Sequence, residues 1–83
     1  MPKPYEVLKL ARLYLDIQQP KAALEAFDEA ERVSSPDLLT GSGEHNVQFQ
    51  ADQGRAAAWR SLGDNRKAAE FDQKALQDLI PRN

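Results

Sequence analysis

The sequence predicts an all-α fold: two antiparallel helical hairpins that lean on each other. Three observations carry this. Small and apolar residues recur at helical spacing, with Val7, Leu10, Ala11 and Tyr14 in one block and Ala23, Phe27 and Ala30 in the next. Compact turn signals, Gln18-Gln19-Pro20 and later Gly63-Asp64-Asn65, split each half of the chain into two blocks. The second half also echoes the first at a shift of 45 residues. Large side chains facing small ones let two helices approach closely, so Tyr14 and Phe27 are expected to fill the space beside Ala11, Ala23 and Ala30. A four-helix bundle is the alternative arrangement of the same helices.

The first helix is expected from about Pro4 to Ile17. Proline at its start loses no hydrogen bond, and Glu6 sits well near the positive helix end. Its apolar residues cover most of its circumference, which predicts neighbours on more than one side. Pro20 opens the second helix, expected to run to about Val33. Its charges, including Asp28, Glu29 and Arg32, read as a solvated face with Asp28–Arg32 as an i,i+4 pair. Residues 37 to 46 form an irregular segment in which Thr40-Gly41-Ser42-Gly43 is flexible by composition, with Asn46 or Ser42 placed to cap the third helix. That helix, about Val47 to Leu62, carries Ala51, Ala56, Ala58 and Trp59. Gly54 within it is either a weak point or a point of close contact. The fourth, about Arg66 to Leu79, carries Ala68, Phe71, Ala75 and Leu76, and Ile80-Pro81 ends it.

The stretch Val7-x2-Leu10-Ala11-x2-Tyr14, Ala23-x3-Phe27, Ala30 and Pro36 resembles the tetratricopeptide repeat, whose pattern is W-x2-L-G-x2-Y, then A-x3-F, then P. Val7 and Ala11 replace the Trp and Gly, and the proline stands one place late. At the 45-residue shift Tyr14 falls on Trp59, Ala23 on Ala68, Ala30 on Ala75 and Pro36 on Pro81. A unit of the family has 34 residues, so a surplus of 45 − 34 = 11 is expected between units, where the glycine-bearing segment lies. The resemblance thus implies a single domain of residues 1–83, a short TPR-like α-solenoid. Repeat one covers about 4–37, an inserted loop about 38–48, and repeat two about 49–82. Departures fall in the second unit: Arg55 stands where Leu10 does, and Asp72 where Phe27 does, with Phe71 one place early. Either Phe71 turns inward or the register is off by one.

What the resemblance implies for function is protein recognition, as adaptor or scaffold, in a concave groove lined by the first helix of each unit. Carried onto this chain, the groove positions are Tyr5, Leu8, Arg12, Leu15 and Asp16, with Gln50, Gln53, Ala57 and Arg60. Tyr5, Leu8 and Leu15 would form an apolar floor. Arg12 and Arg60 would take a carboxylate, or else pair within the chain, Arg12 with a neighbour such as Asp16. The chaperone-tail subset of the family places a Lys and an Asn where Leu8 and Arg12 stand, so that activity is not implied. The partner is another protein or peptide. The alternative is a homodimer or domain-swapped pair, formed through the apolar face of the last helix at Leu76, Leu79 and Ile80.

Other function classes find little to stand on. A net charge of −2 offers no concentrated positive field for nucleic acid. With no cysteine and His45 as the sole histidine, no metal set or thiolate chemistry is expected, and no cofactor. Gly41-Ser42-Gly43 lacks the Lys-Ser/Thr of a phosphate loop, and no serine has an identifiable base, so the expectation is a non-enzyme. Without an apolar leader or a run of membrane-spanning length, the expected location is the cytoplasm.

Overall fold

The computed structural model describes residues 3–34 and 46–79, which form four helices and no strand. Helix α1 spans Pro4–Asp16, α2 Pro20–Arg32, α3 Val47–Ser61 and α4 Asn65–Asp78. The segment around Thr40–Gly43, together with His45, Pro36 and Ile80, lies outside the described residues.

Each helix starts where local chemistry satisfies or removes a loose backbone donor. Proline opens α1 and α2. In α3 the Asn46 carboxamide oxygen accepts from the Phe49 N–H at 3.1 Å, and in α4 Asp64 accepts from the Lys67 N–H at 3.0 Å.

The turns within the two hairpins match bond for bond at the 45-residue shift. Gln19 N–H donates to Tyr14 C=O at 2.8 Å, and Asp64 N–H donates to Trp59 C=O at 2.9 Å. Gln18 N–H donates to Leu15 C=O as Gly63 N–H does to Arg60 C=O, both at 3.1 Å. These are paired Schellman closures, which require a left-handed residue just past the helix. Gly63 supplies it with φ of 84°, and Gln18 supplies it with φ of 60°, at a cost that glycine avoids. The two turns therefore correspond at a shift of 45 residues.

The core follows the pairing of large with small. Leu8, Phe27 and Val47 are fully buried, surrounded by Ala11, Ala23, Ala30 and Ala51. Tyr14, Leu15 and Val33 pack against this cluster without being enclosed. Gly54 is a close-contact point: a Cβ there would overlap the Cζ, Cε1 and Cε2 atoms of Phe27. The knob of α2 enters a hole in α3 that only glycine leaves open.

Two expectations about α1 are corrected. The repeat pattern turns Leu10 inward, yet it is 46% exposed, whereas Leu8 is wholly enclosed. The reason is rotational. Leu8 turns into the cluster shared with α2 and α3, while Leu10 lies at the open groove between α1 and α2, and Leu13 and Ile17 are exposed.

Helix α3 packs on α1, α2 and α4, while the extensive contacts of α4 are with α3. A closed four-helix bundle would instead join α4 to α1. Among the described residues that pairing is marginal at most, and the second hairpin packs on the first mainly through α3.

Candidate functional site

Where α2 meets α3, a charged cluster is partly enclosed: Arg55 and Asp52 are buried, Glu31 is half-buried and Asp28 is exposed. Arg55 Nη2 donates to Asp28 Oδ1 at 2.7 Å, and Nη1 donates to Asp52 Oδ1 at 3.0 Å and to Glu31 Oε1. Gln48 Nε2 donates to the same Glu31 oxygen at 2.6 Å and to Asp52 Oδ2 at 3.2 Å. The guanidinium also lies over the Phe71 ring, 5.9 Å from its centroid, so one arginine ties α2, α3 and α4 together. Burial by itself lowers the pKa of Arg55, but hydrogen bonds to Glu31 and Asp28, and their charges, more than reverse it. The guanidinium is held above its ordinary value. Its donors are engaged by three carboxylates, which makes the cluster a joint between hairpins.

This joint is only half legible in the sequence. Arg55 and Asp72 stand out there as departures from the repeat pattern, and spacing alone assigns Asp28 to Arg32. The structure corrects that pairing: Asp28 reaches across to Arg55, and Arg32 pairs with Glu29. The available signal was Arg55 itself, a charge in the stripe Ala51, Arg55 and Ala58, whose small neighbours are both fully buried.

Phe71 is half-buried beneath Arg55. Asp72 occupies the position of Phe27 and accepts from Arg60 Nη2 at 2.6 Å. Trp59 is half-buried with the Lys67 ammonium 4.2 Å from its ring centroid.

Helices α1 and α3 share a surface. Arg12 Nη2 donates to Gln50 Oε1 across the gap between them. Tyr5, Arg12 and Asp16 are exposed on α1, as are Gln53, Ala57 and Arg60 on α3, with Gln50 half-buried. Leu8 does not belong to this surface, because it is enclosed in the core, and Leu15 is partly drawn in beside it. Arg12 pairs with Gln50 and not with Asp16.

Two apolar grooves lie elsewhere. One, of about 370 Å³, runs between α1 and α2 along Val7, Leu10, Tyr14, Ala22 and Ala26, with Glu25 and Glu29 at its rim. The other, about 320 Å³, runs between α3 and α4 along Phe49, Ala75, Leu76 and Leu79, with Gln53 and Asp72. Leu76 is 64% exposed and Leu79 half-buried, while Ile80, assigned with them to self-association, lies outside the described residues. No described helix is long and apolar enough to cross a membrane.

Comparison with family models, curated proteins and solved structures finds no match. The functional reading therefore rests on geometry and on the residues themselves.

Proposed function

We propose that the chain is a tetratricopeptide-like pair of repeats whose function is to bind a protein or peptide segment, as an adaptor or scaffold. The observation that carries the reading is the bond-for-bond repetition of the two hairpin turns at a shift of 45 residues. On this reading α1 and α3 are the inner helices of successive units, the helices that line the groove in such arrays. The Arg12–Gln50 hydrogen bond supports a continuous surface across them.

Of the two arginines, Arg12 is the better anchor for an incoming carboxylate. Its partner Gln50 is neutral, so its charge is not offset by that bond, whereas Arg60 already holds Asp72. Tyr5 and Ala57 supply exposed apolar contact nearby on the same helices, and Leu8 has no part in it.

The test is selection from a displayed library of random peptides, followed by anisotropy titration of the best binder. Arg12→Glu should weaken binding at least tenfold, about 1.4 kcal/mol or more, with Arg60→Glu milder. Equal affinity of wild type and the Arg12→Glu variant would reject the groove. A second reading, self-association through the last helix, is favoured by the exposed Leu76.

A further inference from the structure

We propose that copies of this chain stack head to tail, the open side of α1 and α2 in one copy receiving the open side of α3 and α4 in the next. The template is the joint between the two hairpins. The proposal rests on the two-unit repeat of the reading above and is independent of its groove.

Five contacts cross the internal joint between the hairpins: Phe27 on Gly54, Glu31 with Arg55, Arg12 with Gln50, Asp28 with Arg55, and Glu31 with Gln48. Moving the α1–α2 member forward by 45 residues and the α3 member back by 45 gives the residues that meet if a second copy continues the stack. Phe27 and Gly54 become Asp72 and Lys9. Glu31 and Arg55 become Leu76 and Leu10. Arg12 and Gln50 become Ala57 and Tyr5. These three new pairs are complementary: an acid meets a base, a leucine meets a leucine, and a small side chain meets an aromatic one. Asp28–Arg55 and Glu31–Gln48 become Gln73–Leu10 and Leu76–Lys3, which are not.

The exchange of chemistry is concerted. All five charged members of the joint, Arg12, Asp28, Glu31, Asp52 and Arg55, have uncharged counterparts: Ala57, Gln73, Leu76, Leu10 and the buried Val7, the last for Asp52. An outer side meant to stay in water would do the reverse, since terminal units of a stack carry a polar face. Here the α1 counterparts of the buried Arg55 and Ala58 are Leu10 at 46% and Leu13 at 52% exposure, with Glu6 as the counterpart of Ala51, and Ile17 beyond them is 64% exposed. Leu76, counterpart of the Glu31 that holds Arg55, is as exposed as Ile17. The two sides differ from each other, so their contact is heterologous and leaves one of each free at the ends of any oligomer.

That asymmetry gives a decisive mixing experiment on the full chain by sedimentation velocity. Wild type should grow in average mass from micromolar to near-millimolar concentration without stopping at the dimer. Leu10→Asp and Leu76→Asp should each be monomeric with unaltered helical circular dichroism, because both side chains already face solvent. An equimolar mixture should form a one-to-one dimer and nothing larger, since each variant retains the side the other has lost. A chain carrying both Leu10→Arg and Leu76→Glu, which transplants the Arg55–Glu31 pair to the outer sides, should associate again. The proposal is overturned if wild type stays monomeric throughout, if the mixture stays monomeric, or if Leu10→Asp alone still dimerises. In that last case the contact would join two identical α4 faces. Peptide capture by Arg12 is read separately, so either idea can fail alone.

Discussion

Gly54 offers the sharpest quantitative prediction. It sits within α3, where alanine is favoured over glycine by about 1 kcal/mol on helix propensity alone. Gly54→Ala should nevertheless destabilise the protein. The added methyl falls on Cζ, Cε1 and Cε2 of Phe27, a ring that is fully buried and has no room to withdraw. Overpacking of this kind costs about 1–3 kcal/mol. Set against the propensity gain, the net loss is about 1 kcal/mol, or roughly 4–8 °C in Tm for a domain of this size. Phe27→Leu removes the three ring atoms involved and by itself costs up to about 1.5 kcal/mol. In that background Gly54→Ala should change sign and stabilise by about 1 kcal/mol, as propensity then acts unopposed. Urea denaturation of the four proteins in the cycle therefore yields a coupling of about 2 kcal/mol. If Gly54→Ala stabilises equally in both backgrounds, the ring does not sit on Gly54 and the joint is wrongly drawn.

The charged joint makes a second prediction. Arg55→Leu leaves Asp52 and Glu31 without their charge partner, with only Gln48 donating to them, and should cost about 3 kcal/mol, whereas adding Glu31→Leu and Asp52→Val to it should restore most of the loss in chemical denaturation. Gln18→Gly should raise stability by about 0.5–1 kcal/mol, because Gln18 holds the left-handed conformation that Gly63 holds in the second unit; a thermal melt reads it directly.

Much of the fold was legible because the turns speak through local chemistry. Pro4, Pro20, Asn46 and the Gly63-Asp64 pair mark helix starts and stops with residues whose backbone preferences leave few options. The small residues Ala11, Ala23 and Ala30 likewise announced a close-packed inside. The rotation of α1 was harder to read. Eight of its positions carry apolar or aromatic side chains, so periodicity cannot choose between the Leu8 side and the Leu10 side, and neighbours from another hairpin decide it. The same limit hid the joint. Asp28 and Arg32 have the right spacing for a helix-surface pair, but the arginine that takes Asp28 lies 27 residues away on α3. The groove candidates stand in between: the family pattern supplied positions, and only tertiary packing removed Leu8 from them.

The central claim is that the second hairpin docks on the first through the ring of Phe27 against the backbone of Gly54, with both hairpins built to one plan. Proton NMR tests it most directly. The account predicts strong cross-relaxation between the Phe27 ring protons and the Gly54 Hα pair, with at least one Hα displaced by the ring current. Sharp Gly54 signals at ordinary glycine shifts, with no contact to that ring, would contradict it.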